Sequence, residues 1–224
     1  MKKITLLCRG KSLSYIDKIE KTDHCVLVNS FHFELENKEV HEYVSSCSKV
    51  SHVLSLGAYF PKSGAKEIYK KYNFKEIILP YIKELSPPIP RHLRNIEGPD
   101  GILPVRNMSD INKKDMISHP RYAFTSPTCG LDALLYTVNE LKPDVVNIIG
   151  LDFYDKVGYL TNSNGRKLNE APRDIAIKWG ESTSKMQNFF IKFVKNNLDT
   201  QFNLHTLSNI DFTSPNLNII KNNA

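Results

Sequence analysis

Residues 145–154 read Val145-Val146-Asn147-Ile148-Ile149-Gly150-Leu151-Asp152-Phe153-Tyr154. A short apolar run rich in β-branched side chains, stopped by glycine, reads as a buried strand, with Gly150 and Asp152 at its carboxyl end. A helix signal over Gly130–Leu141 precedes it. The same alternation runs through the chain. Lys3–Leu7, His24–Val28, Val50–Leu56, Phe74–Leu79 and Phe202–Leu207 read as strands. Ser12–Glu20, Lys38–Ser46, Gly64–Tyr72 and Ser182–Asn196 read as helices, the last with an apolar face of Met186, Phe189, Phe190, Phe193 and Val194. Strands separated by helices predict an α/β fold: one domain over 1–224, its sheet twisted and mostly parallel, with helices on both faces. Ligands of such sheets sit beyond the carboxyl ends of the strands, near a topological switch point.

Two stretches break the pattern. Ser86–Val105 holds Pro87, Pro88, Pro90, Pro99 and Pro104 with Gly98 and Gly101, so 86–106 is expected to be an irregular loop. Residues 155–181 are polar and aperiodic and are expected to form a flexible lid. The polar tail after Asp211 is expected to fray.

The net charge is +6 with a pI near 9.0, and mean hydropathy is −0.35. Lysines are spread along the chain rather than gathered in a basic stripe with interleaved aromatics, which argues against nucleic acid as a partner. No stretch approaches the ~20 apolar residues of a membrane helix. The apolar start Ile4-Thr5-Leu6-Leu7 stops at Arg9, too short for a signal peptide, so the expected location is the cytoplasm. The four cysteines, Cys8, Cys25, Cys47 and Cys129, form no CxxC pair and no spacing suited to zinc, so reduced thiols and no metal are expected.

Three post-strand clusters carry the chemistry. Cys8-Arg9-Gly10-Lys11-Ser12-Leu13 follows the first strand, with a glycine that lets the backbone approach a phosphate at a helix N-terminus. Asn29-Ser30-Phe31-His32-Phe33-Glu34 follows the second, where an asparagine is placed to bond a base or ribose. Ser126-Pro127-Thr128-Cys129-Gly130 opens the helix before residues 145–154 and makes a second cradle for an anion or ribose. Each also has a plain structural reading: a turn with a capping Ser12, a turn-stabilising Asn29, an N-capped helix followed by a tight turn.

In this order, the three clusters resemble the CMP-sialic-acid-dependent sialyltransferases, especially the small bacterial type. That family ends its first strand in a G-N-G-P-S-L-like loop, its second in C-N-Q-F-Y-F-E, and its third block runs from T-S-G to S-G-I-D-F-Y. The similarity covers both ends of the chain and thins out over about 62–119. It implies a Rossmann-like glycosyltransferase with a mobile lid and CMP across the three clusters. Gly10 and Ser12 would approach phosphate, Asn29 the nucleotide or donor sugar, Thr128, Cys129 and Gly130 the donor, and Asp152 and Phe153 the cytidine end. Tyr154 and Tyr159 fall near the places of the family's lid tyrosines, whose phenols stabilise the leaving phosphate without metal. The implied partners are a CMP-sugar donor, which is substrate rather than cofactor, and a glycan acceptor such as a surface polysaccharide or lipid-linked glycan. An oligomer is compatible with the resemblance.

The implied reaction is an inverting displacement on the anomeric carbon, and it needs a base for the acceptor hydroxyl. The family places a histidine before the last long helix; Glu181 stands there in this chain. The base is then Glu181 itself, or His119, or in third place His32; or transfer is impaired, leaving CMP-sugar binding or hydrolysis. Glu181 also reads as a carboxylate favoured at a helix start. His41 and His52 read as surface or helix residues. Arg9 and Lys11 replace neutral family residues, and the loop residues Arg91, Arg94 and Arg106 suit an anionic sugar or a solvated basic loop equally.

Overall fold

The computed structural model describes residues 1–54, 66–80, 93–108, 128–155, 159–160 and 183–221. Its centre is an eight-stranded sheet in which every pairing is parallel. The strands are β1 (Lys3–Leu7), β2 (His24–Val28), β3 (Lys49–Val53), β4 (Phe74–Leu79), β7 (Val105–Asn107), β8 (Val145–Ile149), β9 (Gln201–Thr206) and β10 (Leu217–Lys221). A separate hairpin pairs β5 (Glu97–Gly98) with β6 (Gly101–Ile102). The order across the sheet is β10-β9-β8-β1-β2-β3-β4-β7. From β1 the chain builds outward through β2 to β7, then returns to the other side of β1 and builds outward through β10. The reversal lies between β1 and β8, whose following loops diverge.

Side-chain alternation along the strands divides the core in two. Ile4, Leu6, Val26, Val146, Ile148 and Leu204 face α3 (Cys129–Asn139) and α4 (Thr183–Asn196), where Leu134, Met186, Phe190 and Val194 meet them. Leu7, Cys25, Leu27, Val50, Ile77 and Ile149 face a 3₁₀ helix over Lys11–Lys18 and helices α1 (Lys38–Ser46) and α2 (Glu67–Lys71), where Leu13, Ile16, Val40, Val44 and Tyr69 meet them. Apolar area removed from water on both faces is what drives this layering, at about 25 cal/mol per Å². Of the expected apolar face of α4, Phe189 is only partly buried.

The structure departs from the sequence reading in four places. The short helix after β1 is 3₁₀, with Tyr15 outside helical geometry. The proline-rich stretch, where described, is not structureless: Leu103 N–H bonds to Ile96 O, closing a hairpin, and Val105–Asn107 then joins the sheet beside β4. The tail after Asp211 does not fray there. Asn216 Nδ2 reaches the carbonyls of Val194, Asn197 and Thr200, and this anchor sets Leu217–Lys221 into register with β9. His52, expected on a surface or helix, lies in β3 and is 1% exposed. No helix among the described residues is long and apolar enough to cross a membrane.

Candidate functional site

The loops after β1 and β8 are stitched together at the switch point. Cys8 N–H donates to Ile149 O at 2.8 Å, Gly10 N–H to Gly150 O at 2.8 Å, and Gly150 N–H to Ser12 Oγ at 2.9 Å. Two glycines make this approach possible. A Cβ on Gly150, whose φ is +77°, would sit 2.2 Å from Cys8 O; one on Gly10 would sit 2.4 Å from Asp152 Oδ2. Asp152 then locks three segments. Its Oδ2 accepts from Ser12 N–H at 2.9 Å, and its Oδ1 accepts from Thr206 Oγ1 at 3.0 Å and Leu207 N–H at 3.1 Å. Such a carboxylate, buried and fed by backbone and hydroxyl donors, is a structural clamp as well as a cleft residue.

Above this clamp opens a cleft with about 80 Å³ of water-accessible volume, several times the room one water needs. Gly10, Asn29, Thr128, Cys129 and Gly130 line it, as do Asp152, Phe153, Tyr154 and Tyr159. Three clusters, the third about a hundred residues beyond the first two, thus share one cavity. Ser12 is not on its wall: it is fully buried one layer behind, bonded to Gly150 and Asp152. Glu181 and His119 lie outside the described residues, as does Arg91.

Each wall residue is held by its own local physics. Thr128 caps α3, its side chain accepting from Leu131 N–H, so the helix's positive end opens on the cleft. Gly130 lets that end approach β1, since a Cβ there would lie 3.2 Å from Cys8 Sγ. Asn29 has φ +51°, and its carbonyl accepts from Phe31 N–H at 2.8 Å and from His52 Nε2 at 2.5 Å. His52 Nε2 therefore carries the proton, and Nδ1 accepts from the Tyr69 hydroxyl at 2.7 Å. Burial lowers the His52 pKa to about 4, which keeps the ring neutral at pH 7. Sequence reasoning missed this support for Asn29; the available signal was a histidine inside a β-branched run.

Phe153 and Tyr154 are consecutive left-handed residues, φ +48° and +53°. Bulky residues adopt this region at a cost of about 1–3 kcal/mol each, and such strain clusters at functional sites. The Phe153 ring packs edge-on against Phe190, centroids 5.5 Å apart, which holds the turn. The Tyr154 and Tyr159 phenols share a hydrogen bond. The neighbouring phenol and then burial raise the Tyr154 pKa, and burial raises that of Tyr159, so both protons stay on oxygen and remain donors.

The two extra cations of the first loop separate. Lys11 is exposed, whereas Arg9 is a wall residue: its Nε donates to Glu34 Oε1 at 2.8 Å and its guanidinium lies 4.1 Å from the centroid of the Tyr159 ring. Arg106 does not line the cleft; its Nε and Nη1 bond Glu76 Oε2 at 3.0 Å and Glu140 Oε2 at 2.6 Å. Arg94 is exposed. His32 does not line the cleft; burial lowers its pKa to about 4. Among the described residues no group of three His, Cys, Asp or Glu side chains is placed to share a metal ion.

No family model matches the sequence, and no curated protein matches it. The fold does match solved structures. A point variant of the sialyltransferase CST-II in complex with CMP superposes with a TM-score of 0.53 at 16% identity, covering 92% of this chain and 82% of that one. CstII from Campylobacter jejuni, in complex with the substrate analogue CMP-3FNeuAc, gives 0.52 at 15% identity with the same coverage. A second CST-II variant with CMP gives 0.52 at 16%. The chain has a sialyltransferase-like, Rossmann-like α/β fold.

Proposed function

We propose that this chain is a sialyltransferase-like glycosyltransferase. It transfers sialic acid, or a related acidic keto-sugar, from a CMP-sugar to a glycan hydroxyl, with inversion and without metal. The observation that carries the reading is the convergence of Asn29, Gly130 and the 150–154 turn on one cleft at the β1/β8 switch point. The CST-II fold supports it.

In this reading the acceptor oxygen attacks the anomeric carbon while the bond from that carbon to the phosphate oxygen breaks, and CMP leaves with the electron pair. The acceptor's proton passes to a base, with Glu181 first and His119 second. Tyr154 and Tyr159, kept protonated, donate to the phosphate as its charge grows; a preorganised donor of this kind is worth roughly 10²–10³-fold in rate. Gly10 and the first turn of α3, at Thr128, Cys129 and Gly130, sit beside the phosphate. Asn29, held by His52, meets the nucleotide, and Asp152 and Phe153 shape the cytidine end. Ser12 serves this site by fixing the Gly150 turn.

Incubation with CMP-sialic acid and lactose-like acceptors is expected to give sialylated product and free CMP in equal amounts. No turnover with any CMP-keto-sugar contradicts the proposal. Glu181 in the place of the family's histidine favours a second reading, a CMP-sugar-binding or CMP-sugar-hydrolysing protein; CMP release without sialylated product selects it. Glu181→Gln and His119→Ala locate the base, and full activity in both variants removes both residues from that role.

A further inference from the structure

Among the described residues, the cleft wall holds a single cation, Arg9, and its side chain is only 11% exposed. Glu34, fully buried beneath it, accepts a hydrogen bond from Nε–H and pairs with the charge. Tyr159 and Phe33 lie against the guanidinium, at 4.1 and 5.6 Å from their ring centroids. Backbone bonds hold this packing in place: Gly10 bridges Tyr159, and Leu160 N–H donates to Arg9 O at 3.0 Å. Yet Arg9 Nη2 is buried with no hydrogen-bond partner. A guanidinium keeps its charge at any accessible pH and carries five donors, so a buried donor left without an acceptor needs an explanation. Arg9 lines the cleft, so an acceptor would come from that side, with the side chain shifting to uncover Nη2. The first turn of α3, at Cys129 and Gly130, forms a second pole of positive potential on the same cleft.

We propose that Arg9 is a ligand-binding residue whose Nη2 takes an oxyanion of the donor, and that the cleft selects ligands with two separated acidic groups, one at Arg9 and one at the start of α3. The inference rests on the nucleotide-sugar reading, in which a phosphodiester and a sugar carboxylate are two such groups. Glu34 is then a positioning residue: it holds the guanidinium beside the Tyr159 ring. The planar fork matters as well as the charge, because an ammonium on a flexible stem cannot hold Glu34 and the ligand in one plane.

The test is calorimetric titration of the full chain with cytidine, CMP and a fluorinated, inert CMP-sialic acid analogue. The proteins are the wild type, Arg9→Lys, Arg9→Met and the double variant Arg9→Met/Glu34→Gln, which removes the buried carboxylate's charge together with the cation and keeps the test valid if the single variant fails to fold. Cytidine is expected to bind all folded forms alike. The Met variants are expected to lose roughly 10- to 100-fold in affinity for an acidic ligand, and Arg9→Lys to fall between. A loss already present with CMP assigns Arg9 to the phosphate; a loss confined to the sialic acid analogue assigns it to the carboxylate. Wild-type affinities for all three ligands in the folded double variant overturn the proposal while the nucleotide-sugar reading stands. A wild type that binds none of the three overturns that reading, and the Arg9 proposal with it.

Discussion

Among the described residues, two arginine–glutamate systems flank this sheet, one at the switch point and one near the β7 edge, and they are finished differently. Near the edge, Arg106 is shared between Glu76 and Glu140, and the Tyr136 hydroxyl bonds Glu76 from behind. At the switch point, Arg9 pairs with the Glu34 carboxylate and an aromatic face and has an unpartnered Nη2. The first arrangement joins two carboxylates through one guanidinium and ties β4, β7 and the end of α3 together. The second is left open where a ligand enters. A buried ion pair is weak evidence for stability in either place; what distinguishes the two is that Arg9 carries a buried donor without a partner, whereas the Arg106 side chain is 38% exposed.

The contrast breaks if the two arginines behave alike. Arg9→Met removes the cation paired with the fully buried Glu34 and is expected to cost about 3–5 kcal/mol of unfolding free energy. Arg106→Met, at a side chain 38% exposed, is expected to cost roughly 1 kcal/mol and to leave affinity for CMP unchanged. Urea denaturation beside calorimetry measures both, and equal stability losses would contradict the difference in burial. The glycines sharpen the same contrast. Gly150→Ala drives a Cβ into Cys8 O at a positive φ and is expected to cost about 2–4 kcal/mol. At the β5–β6 hairpin, Gly101→Ala has φ +120° but open space around it, and is expected to cost about 1–2 kcal/mol.

Acid reports on the switch-point support. His52 has its pKa lowered to about 4 by burial, against an ordinary value of 6.5, so between these values the unfolded chain binds a proton that the folded chain does not. Its stabilising contribution is therefore complete above pH 6.5 and lost as the pH falls toward 4, at up to about 1.4 kcal/mol per pH unit. His24 and His32 are lowered to about 4 as well and add to the slope. His52→Gln is expected to make urea midpoints between pH 6.5 and 4.5 less steep in pH, and an unchanged slope would mean that His52 is protonated in the fold. Smallest is Thr128→Ala, which removes the α3 cap and is expected to cost about 1 kcal/mol in the same denaturation assay.

The central strands were legible because each is a run of apolar side chains buried on both faces: Lys3–Leu7, His24–Val28, Phe74–Leu79 and Val145–Ile149 have the bounds read from the sequence. The edges were not. Val105–Asn107 and Leu217–Lys221 are half-exposed or polar in pattern, and long-range bonds from Leu79, Pro104 and Asn216 place them. The site divides the same way. Gly10, Asn29 and Gly130 were legible because loops after parallel strands at a switch point must converge. Arg9–Glu34 and His52–Asn29 were not, since each joins residues more than twenty positions apart and neither partner is unusual alone. Ser12 was legible as a polar residue of the site, but its inward turn depends on Asp152, 140 positions away.

A crystal of the protein soaked with CMP or an inert CMP-sugar analogue tests the central claim most directly. The account predicts cytidine monophosphate in the cleft between Asn29 and the first turn of α3, with an acidic group of the ligand within hydrogen-bonding distance of Arg9 Nη2. Nucleotide bound elsewhere, or a cleft left empty at saturating CMP, would contradict it.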